Sequence, residues 1–229
     1  MCKTALLLVA LLACHTPFVT DEAGVRFVHV FAQGADSTAP LLVWLHGYGG
    51  RPERFDSLWQ NMPARIDIAM PQGFIPIGDG YSWYYYQPGT GVEGLARTIV
   101  GAEERVWRGI VAEAHGRRIL VGGFSQGAII AYALAARHPE IVSAFPIAGV
   151  LPSELFPPGR HPPMAPVFAM HGTEDTVIPF DDGRRTIAGF RALGGKAELL
   201  EFPGVGHEIT EGMREALYKH VEAALLPPQ

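Results

Sequence analysis

The chain has 229 residues, of which 48% are hydrophobic and 18% charged, enough apolar material for one large core and the opposite of a disordered, highly charged polymer. Its formal net charge is -5 and no run of lysine or arginine exceeds two residues, which excludes an electrostatic grip on nucleic acid. Its two cysteines, Cys2 and Cys14, both fall in the first segment, so the rest of the chain holds neither a disulfide framework nor a thiolate metal site.

Residues 1–14 (MCKTALLLVALLAC) carry one cation, Lys3, then an apolar stretch and a small residue before Cys14. The stretch falls short of the roughly 20 apolar residues of a membrane-spanning helix and reads as an export leader. Leu11-Leu12-Ala13-Cys14 resembles the lipobox of bacterial lipoproteins, which implies cleavage before Cys14 and acylation of its thiol. The expectation is an exported protein, periplasmic or anchored in the membrane through lipidated Cys14 alone. A later cut that secretes it, and a later start that leaves it cytosolic, are the alternatives.

Residues 21–229 read as a single domain. Residues 25–31 (VRFVHVF) alternate apolar and polar side chains, as a half-buried strand does, and a polar turn (34–40) follows. Residues 41–45 form a continuous apolar run that ends in a glycine-rich loop, the pattern of a central strand buried on both faces. Short apolar runs that end in glycine or proline recur at 66–71, 118–127, 142–149, 166–172 and 197–204. Helical spacing occupies 94–115, 126–137, 183–193 and 210–225. Strands that alternate with helices predict an α/β fold: a mostly parallel sheet with helices on both faces, and no insertion large enough for a lid. In such a sheet the ligand crevice lies beyond the carboxyl ends of the strands.

Three loops at those ends carry chemistry. Gly123-Phe124-Ser125-Gln126-Gly127 joins an apolar strand to a helix, the setting of a nucleophile elbow, in which flanking glycines let strand and helix pass closely and push the serine hydroxyl outward. A serine needs a base, and the base an orienting carboxylate. Residues 171–179 (HGTEDTVIP) place Asp175 after one strand, and 203–207 (PGVGH) place His207 after the next. The order Ser125, Asp175, His207 is that of α/β-hydrolases. Asp175 is preferred to its neighbours: Glu174 is read as pointing away, Asp181 and Asp182 as caps of a helix that starts near Gly183. His46 and His171 read as loop histidines; His115, His138 and His220 as surface residues on helices. No pairing of histidine and carboxylate shows metal-ligand spacing, so no metal is expected.

A tetrahedral intermediate needs backbone donors for its oxyanion. The amides of Gln126 and of Tyr48, in His46-Gly47-Tyr48-Gly49-Gly50, are the candidates, and the Tyr48 ring either covers an acyl pocket or packs on its own loop. Residues 81–86 (YSWYYY) are the densest aromatic cluster; Trp83 and Tyr84 are candidate substrate contacts, with loop packing as the equal alternative.

Taken together, LHGYGG, GFSQG, HGTEDTVIP and GVGHEI, spread over residues 45–209, resemble the phospholipase/carboxylesterase family, which includes acyl-protein thioesterases and small bacterial carboxylesterases. The resemblance implies the α/β-hydrolase fold and cofactor-free hydrolysis of carboxylic esters or thioesters. It assigns the catalytic triad to Ser125, Asp175 and His207 and the oxyanion donors to Tyr48 and Gln126. The leader and the SWYYY segment depart from the family's usual pattern. The expected partner is a small-molecule or polymer-borne ester; a secreted polyester depolymerase or feruloyl-type esterase, and a non-catalytic binding protein on the same fold, are the competing readings.

Overall fold

The computed structural model describes residues 19–20, 24–85, 89, 91–157 and 163–226; the leader with Cys14, and Tyr86 of the aromatic segment, lie outside them. Ten strands and five helices follow in the order β1 (Val19–Thr20), β2 (Arg26–Ala32), β3 (Leu41–Leu45), α1 (Asp56–Trp59), β4 (Ile66–Pro71), β5 (Ile75–Ile77), β6 (Gly80–Ser82), α2 (Val92–Ala114), β7 (Ile119–Phe124), α3 (Gln126–Arg137), β8 (Ile141–Ile147), β9 (Val167–Gly172), α4 (Phe180–Ala192), β10 (Ala197–Phe202) and α5 (Glu211–Leu225).

Eight strands form one sheet in the order β1-β2-β4-β3-β7-β8-β9-β10. β2 pairs antiparallel with both β1 and β4, and every pairing from β4 to β10 is parallel. The apolar runs explain the layers. All five residues of β3 are buried; Leu41, Val43 and Leu45 join the core on one face, Leu42 and Trp44 the core on the other. The first core is roofed by α2, α3 and α4 through residues such as Ile99, Val106, Ile130, Leu134, Ile187 and Phe190. The second is roofed by α1 and α5 through Leu58, Trp59, Met213, Leu217 and Val221. A two-faced sheet covered on both sides requires strands without a polar face, which is why β3 and β7 read as unbroken hydrophobic runs; the one charge in β4, Asp67, is buried against Arg117. Among the described residues no segment forms a large lid, and no helix is long and apolar enough to cross a membrane.

The sheet begins ahead of the expected start of the domain at residue 21: Val19 pairs with Phe27 at its edge. Helix α4 begins at Phe180, behind Pro179, whose φ of -55° and ψ of 135° break the preceding chain; no side chain caps the helix. Asp181 and Asp182 are therefore first-turn residues rather than caps, placed where the helix dipole favours a negative charge, and Asp182 pairs with Arg185. Among the described helices, α5 is capped by a side chain: the Thr210 hydroxyl oxygen accepts from the Met213 amide at 3.3 Å.

Candidate active site

Ser125 stands at the junction of β7 and α3 with φ 55° and ψ -118°, a strained conformation for a residue with a side chain. Its amide donates to Ile147 O at the end of β8 (3.0 Å), and its carbonyl accepts from the Ile129 amide (3.1 Å), so the strain is held from both sides. The turn closes only because residue 127 is glycine: a Cβ there would lie 2.2 Å from Leu45 O and 2.6 Å from His46 O, where α3 crosses the end of β3.

His207 and Asp175 reach Ser125 from the loops after β10 and β9. His207 Nε2 lies 2.9 Å from Ser125 Oγ, and His207 Nδ1 lies 2.8 Å from Asp175 Oδ2. The other oxygen of Asp175, Oδ1, accepts from the amides of Val177 and Ile178, both at 2.9 Å. With its side chain fully buried, the carboxylate thus faces two backbone N–H donors and His207 Nδ1. The two loops are stitched together: Glu174 N donates to Val205 O (2.9 Å), Thr173 N to Phe202 O (3.0 Å) and Gly204 N to Thr173 Oγ1 (3.0 Å). A Cβ on Gly172 would come within 2.2 Å of Val205 O, so the acid and base loops approach this closely only over a glycine. Glu174 is exposed and does not face His207, which leaves Asp175 as the carboxylate of the arrangement.

The loop after β3 forms the opposite wall. Gly47 lies so close that a Cβ there would sit 3.3 Å from Ser125 Cβ. The β5–β6 hairpin, which has no legible periodicity in the sequence, pins this loop through Gly49 N to Tyr81 O and Tyr81 N to Gly50 O, both at 2.9 Å. Among the described residues the amides of Tyr48 and Gln126 have no acceptor: Gln126 follows Ser125 in the chain, and Tyr48 follows Gly47, which packs on it.

The Gln126 side chain, which sequence reasoning did not single out, is buried and clamps the hairpin's exit. Oε1 accepts from Trp83 N (2.9 Å) and Ser82 Oγ (3.1 Å), and Nε2 donates to Tyr84 O (3.2 Å). Trp83 Nε1 in turn donates to His46 O at 2.7 Å. His46 accepts from Gly73 N at Nε2 (3.0 Å), so its proton resides on Nδ1, which donates to Gly47 O (2.8 Å). Burial holds its imidazole down at about 4, and it stays neutral. Trp83 and Tyr84 are accordingly packing residues: they are 1% and 6% exposed, and burial pushes the Tyr84 hydroxyl well above its ordinary value. Among the described residues, exposed apolar side chains in these loops include Tyr48, Tyr85 and Val177.

Elsewhere the structure departs from the sequence reading in two places. His138 stacks on Trp107 at 3.9 Å and pairs with the buried Glu103, and His220 is half-buried against Phe168, so neither is a free surface residue. His29, Asp67 and Glu113, distant in sequence, bring three possible metal-ligand atoms together; Arg117, 2.7 Å from Asp67 Oδ2 and 3.5 Å from Glu113 Oε1, already balances that charge. A cavity of about 750 Å³ lies at the amino ends of β8, β9 and β10 beside α5, across the sheet from Ser125.

The family model for phospholipase/carboxylesterase matches residues 98–225, more than half of the chain. The chain belongs to the phospholipase/carboxylesterase family. It is 32% identical to acyl-protein thioesterase 1 of Candida albicans, over 82% of this chain and 92% of that protein. It is 26% identical to lysophospholipase-like protein 1 of Mus musculus, over 77% of this chain and 83% of that protein. Among solved structures, esterase PE8 superposes with a TM-score of 0.72 at 20% identity, covering 91% of this chain and 98% of that one, a likeness of fold. This member of the phospholipase/carboxylesterase family is thus an α/β-hydrolase of the carboxylesterase and thioesterase type.

Proposed function

We propose that the chain hydrolyses carboxylic esters or thioesters through an acyl-enzyme on Ser125. His207 Nε2 takes the Ser125 Oγ proton as Oγ bonds to the substrate carbonyl carbon. The resulting oxyanion is met by the Tyr48 and Gln126 amides, the two donors left free. Collapse breaks the bond to the leaving alcohol or thiol, which departs with the proton from His207. Water then gives a proton to His207 and its oxygen to the acyl carbon; the acid leaves, and His207 returns the proton to Oγ. Asp175 stays ionised throughout, fixing the tautomer of His207 and stabilising the transient imidazolium. The observation that carries this reading is the unbroken chain Ser125 Oγ–His207 Nε2, His207 Nδ1–Asp175 Oδ2 at 2.9 and 2.8 Å. The polymer-directed alternative draws on export and on exposed aromatic side chains; Trp83 and Tyr84 are buried and cannot serve it. The test is hydrolysis of p-nitrophenyl esters of increasing acyl length, with labelling by a fluorophosphonate, for the wild type and Ser125→Ala. Turnover and labelling are expected in the wild type and neither in the variant; equal rates in the two proteins overturn the assignment.

A further inference from the structure

His171 sits behind the Asp175 carboxylate, on the side away from His207. It is the fifth residue of β9, 1% exposed, and its Nε2 lies 2.9 Å from Ile178 O and 3.3 Å from Asp175 Oδ2. Ile178 O can only accept, which places the imidazole proton on Nε2; this N–H donates to Ile178 O, and its nitrogen stands 3.3 Å from Asp175 Oδ2, an electrostatic contact. The other face of the ring is backed by α4: a Cβ built on Gly183 would stand 2.7 Å from His171 Nδ1.

The consequence concerns the freedom of one oxygen. Asp175 Oδ1 is fixed by two amides, but Oδ2, the oxygen that receives His207 Nδ1–H, has no backbone donor among the described residues. Without His171 the carboxylate is held at that oxygen by the mobile base alone. With it, Oδ2 lies between two imidazoles. The same N–H ties the Ile178 carbonyl, whose own amide donates to Oδ1, so the turn 175–178 and the carboxylate are locked as one unit.

We infer that His171 is a positioning residue that orients the Asp175 carboxylate toward His207. The inference rests on the acyl-enzyme reading above. It requires a donor at the Nε2 position, since the N–H that holds Ile178 O also presents its positive end to Asp175 Oδ2.

His171→Gln, whose amide nitrogen reaches close to the Nε2 position, and His171→Met, which fills similar volume without a donor, separate the donor from the packing. Steady-state kinetics on a p-nitrophenyl ester are measured for each with the wild type and Ser125→Ala, and kcat is normalised to the folded fraction by near-UV circular dichroism. His171→Met is expected to lose roughly 10- to 100-fold in kcat, the scale of a misplaced catalytic group, with KM unchanged because the residue is buried away from substrate. His171→Gln is expected to recover most of the loss. Gly183→Ala, which keeps the imidazole but displaces it from the Nδ1 side, is expected to lower kcat several-fold. A kcat for His171→Met within twofold of the wild type, or equal losses in both His171 variants, overturns the inference while leaving Ser125-dependent turnover intact. Absence of Ser125-dependent turnover in the wild type overturns the acyl-enzyme reading itself, and the inference with it.

Discussion

Truncating Gln126 to alanine tests the link between the oxyanion wall and the elbow. Gln126 is 6% exposed, and its loss leaves the Trp83 N–H, held at 2.9 Å, without an acceptor. Tyr84 O and Ser82 Oγ keep each other at 2.8 Å, so the damage is one orphaned buried donor and not three. An orphaned buried N–H costs about 1 to 3 kcal/mol, and the space left by the amide adds about 1 kcal/mol. The sum of about 2 to 4 kcal/mol lowers Tm by about 4 to 16 °C in a domain of this size. Because Trp83 Nε1 also holds His46 O, the loop that carries the Tyr48 amide loosens, and kcat/KM falls by about tenfold, less than the loss of a whole oxyanion donor. Thermal unfolding followed by circular dichroism and ester hydrolysis at 25 °C read the two effects. A Tm within about 2 °C of the wild type would refute the orphaned-donor argument.

Two further outcomes concern stability. Desolvation holds the folded His46 at about 4, against 6.5 in the open chain, so its contribution is complete above pH 6.5 and is lost between 6.5 and 4, as the unfolded state takes up a proton the fold refuses. That amounts to about 3 kcal/mol; His46→Gln, which keeps an acceptor for Gly73 N, should flatten the denaturant-measured slope over that window, and an unchanged slope would count against the assignment. Gly101 lies exposed inside α2 and a Cβ there meets nothing within 4 Å, so Gly101→Ala should raise stability by about 0.5 to 1 kcal/mol; a lower Tm would contradict this.

The site was legible because its chemistry sits where strands end. Residues 41–45, 119–124 and 167–172 are apolar runs followed by glycine or a turn, and a sheet buried on both faces permits no other reading of them. Asp175 could be chosen over Glu174 by motif alone, and the stitched loops after β9 and β10 show the physical reason: the backbone turns one carboxylate inward onto two amides and leaves the other outside. What the sequence concealed were relations between residues far apart along the chain. Strands as short as β5 and β6 carry no period, so nothing local announced that they pin the loop after β3. Trp83 and Tyr84 look identical in a sequence whether they wall a crevice or fill a core; their burial is decided by Gln126, 43 residues from Trp83, whose side chain was overlooked because its amide already had a role. His171 likewise reads in the sequence as a loop histidine, and its meaning depends on a carboxylate four residues on and on α4 behind it. The same distinction bears on substrate choice. The reacting atoms are set by short motifs, whereas the side chains of Tyr48 and Val177 within those motifs, and of Tyr85 outside them, stand exposed to an incoming substrate. Acyl and leaving-group preference in this chain should therefore follow changes at those three positions, with the hydrogen-bonded chain from Ser125 to Asp175 left in place.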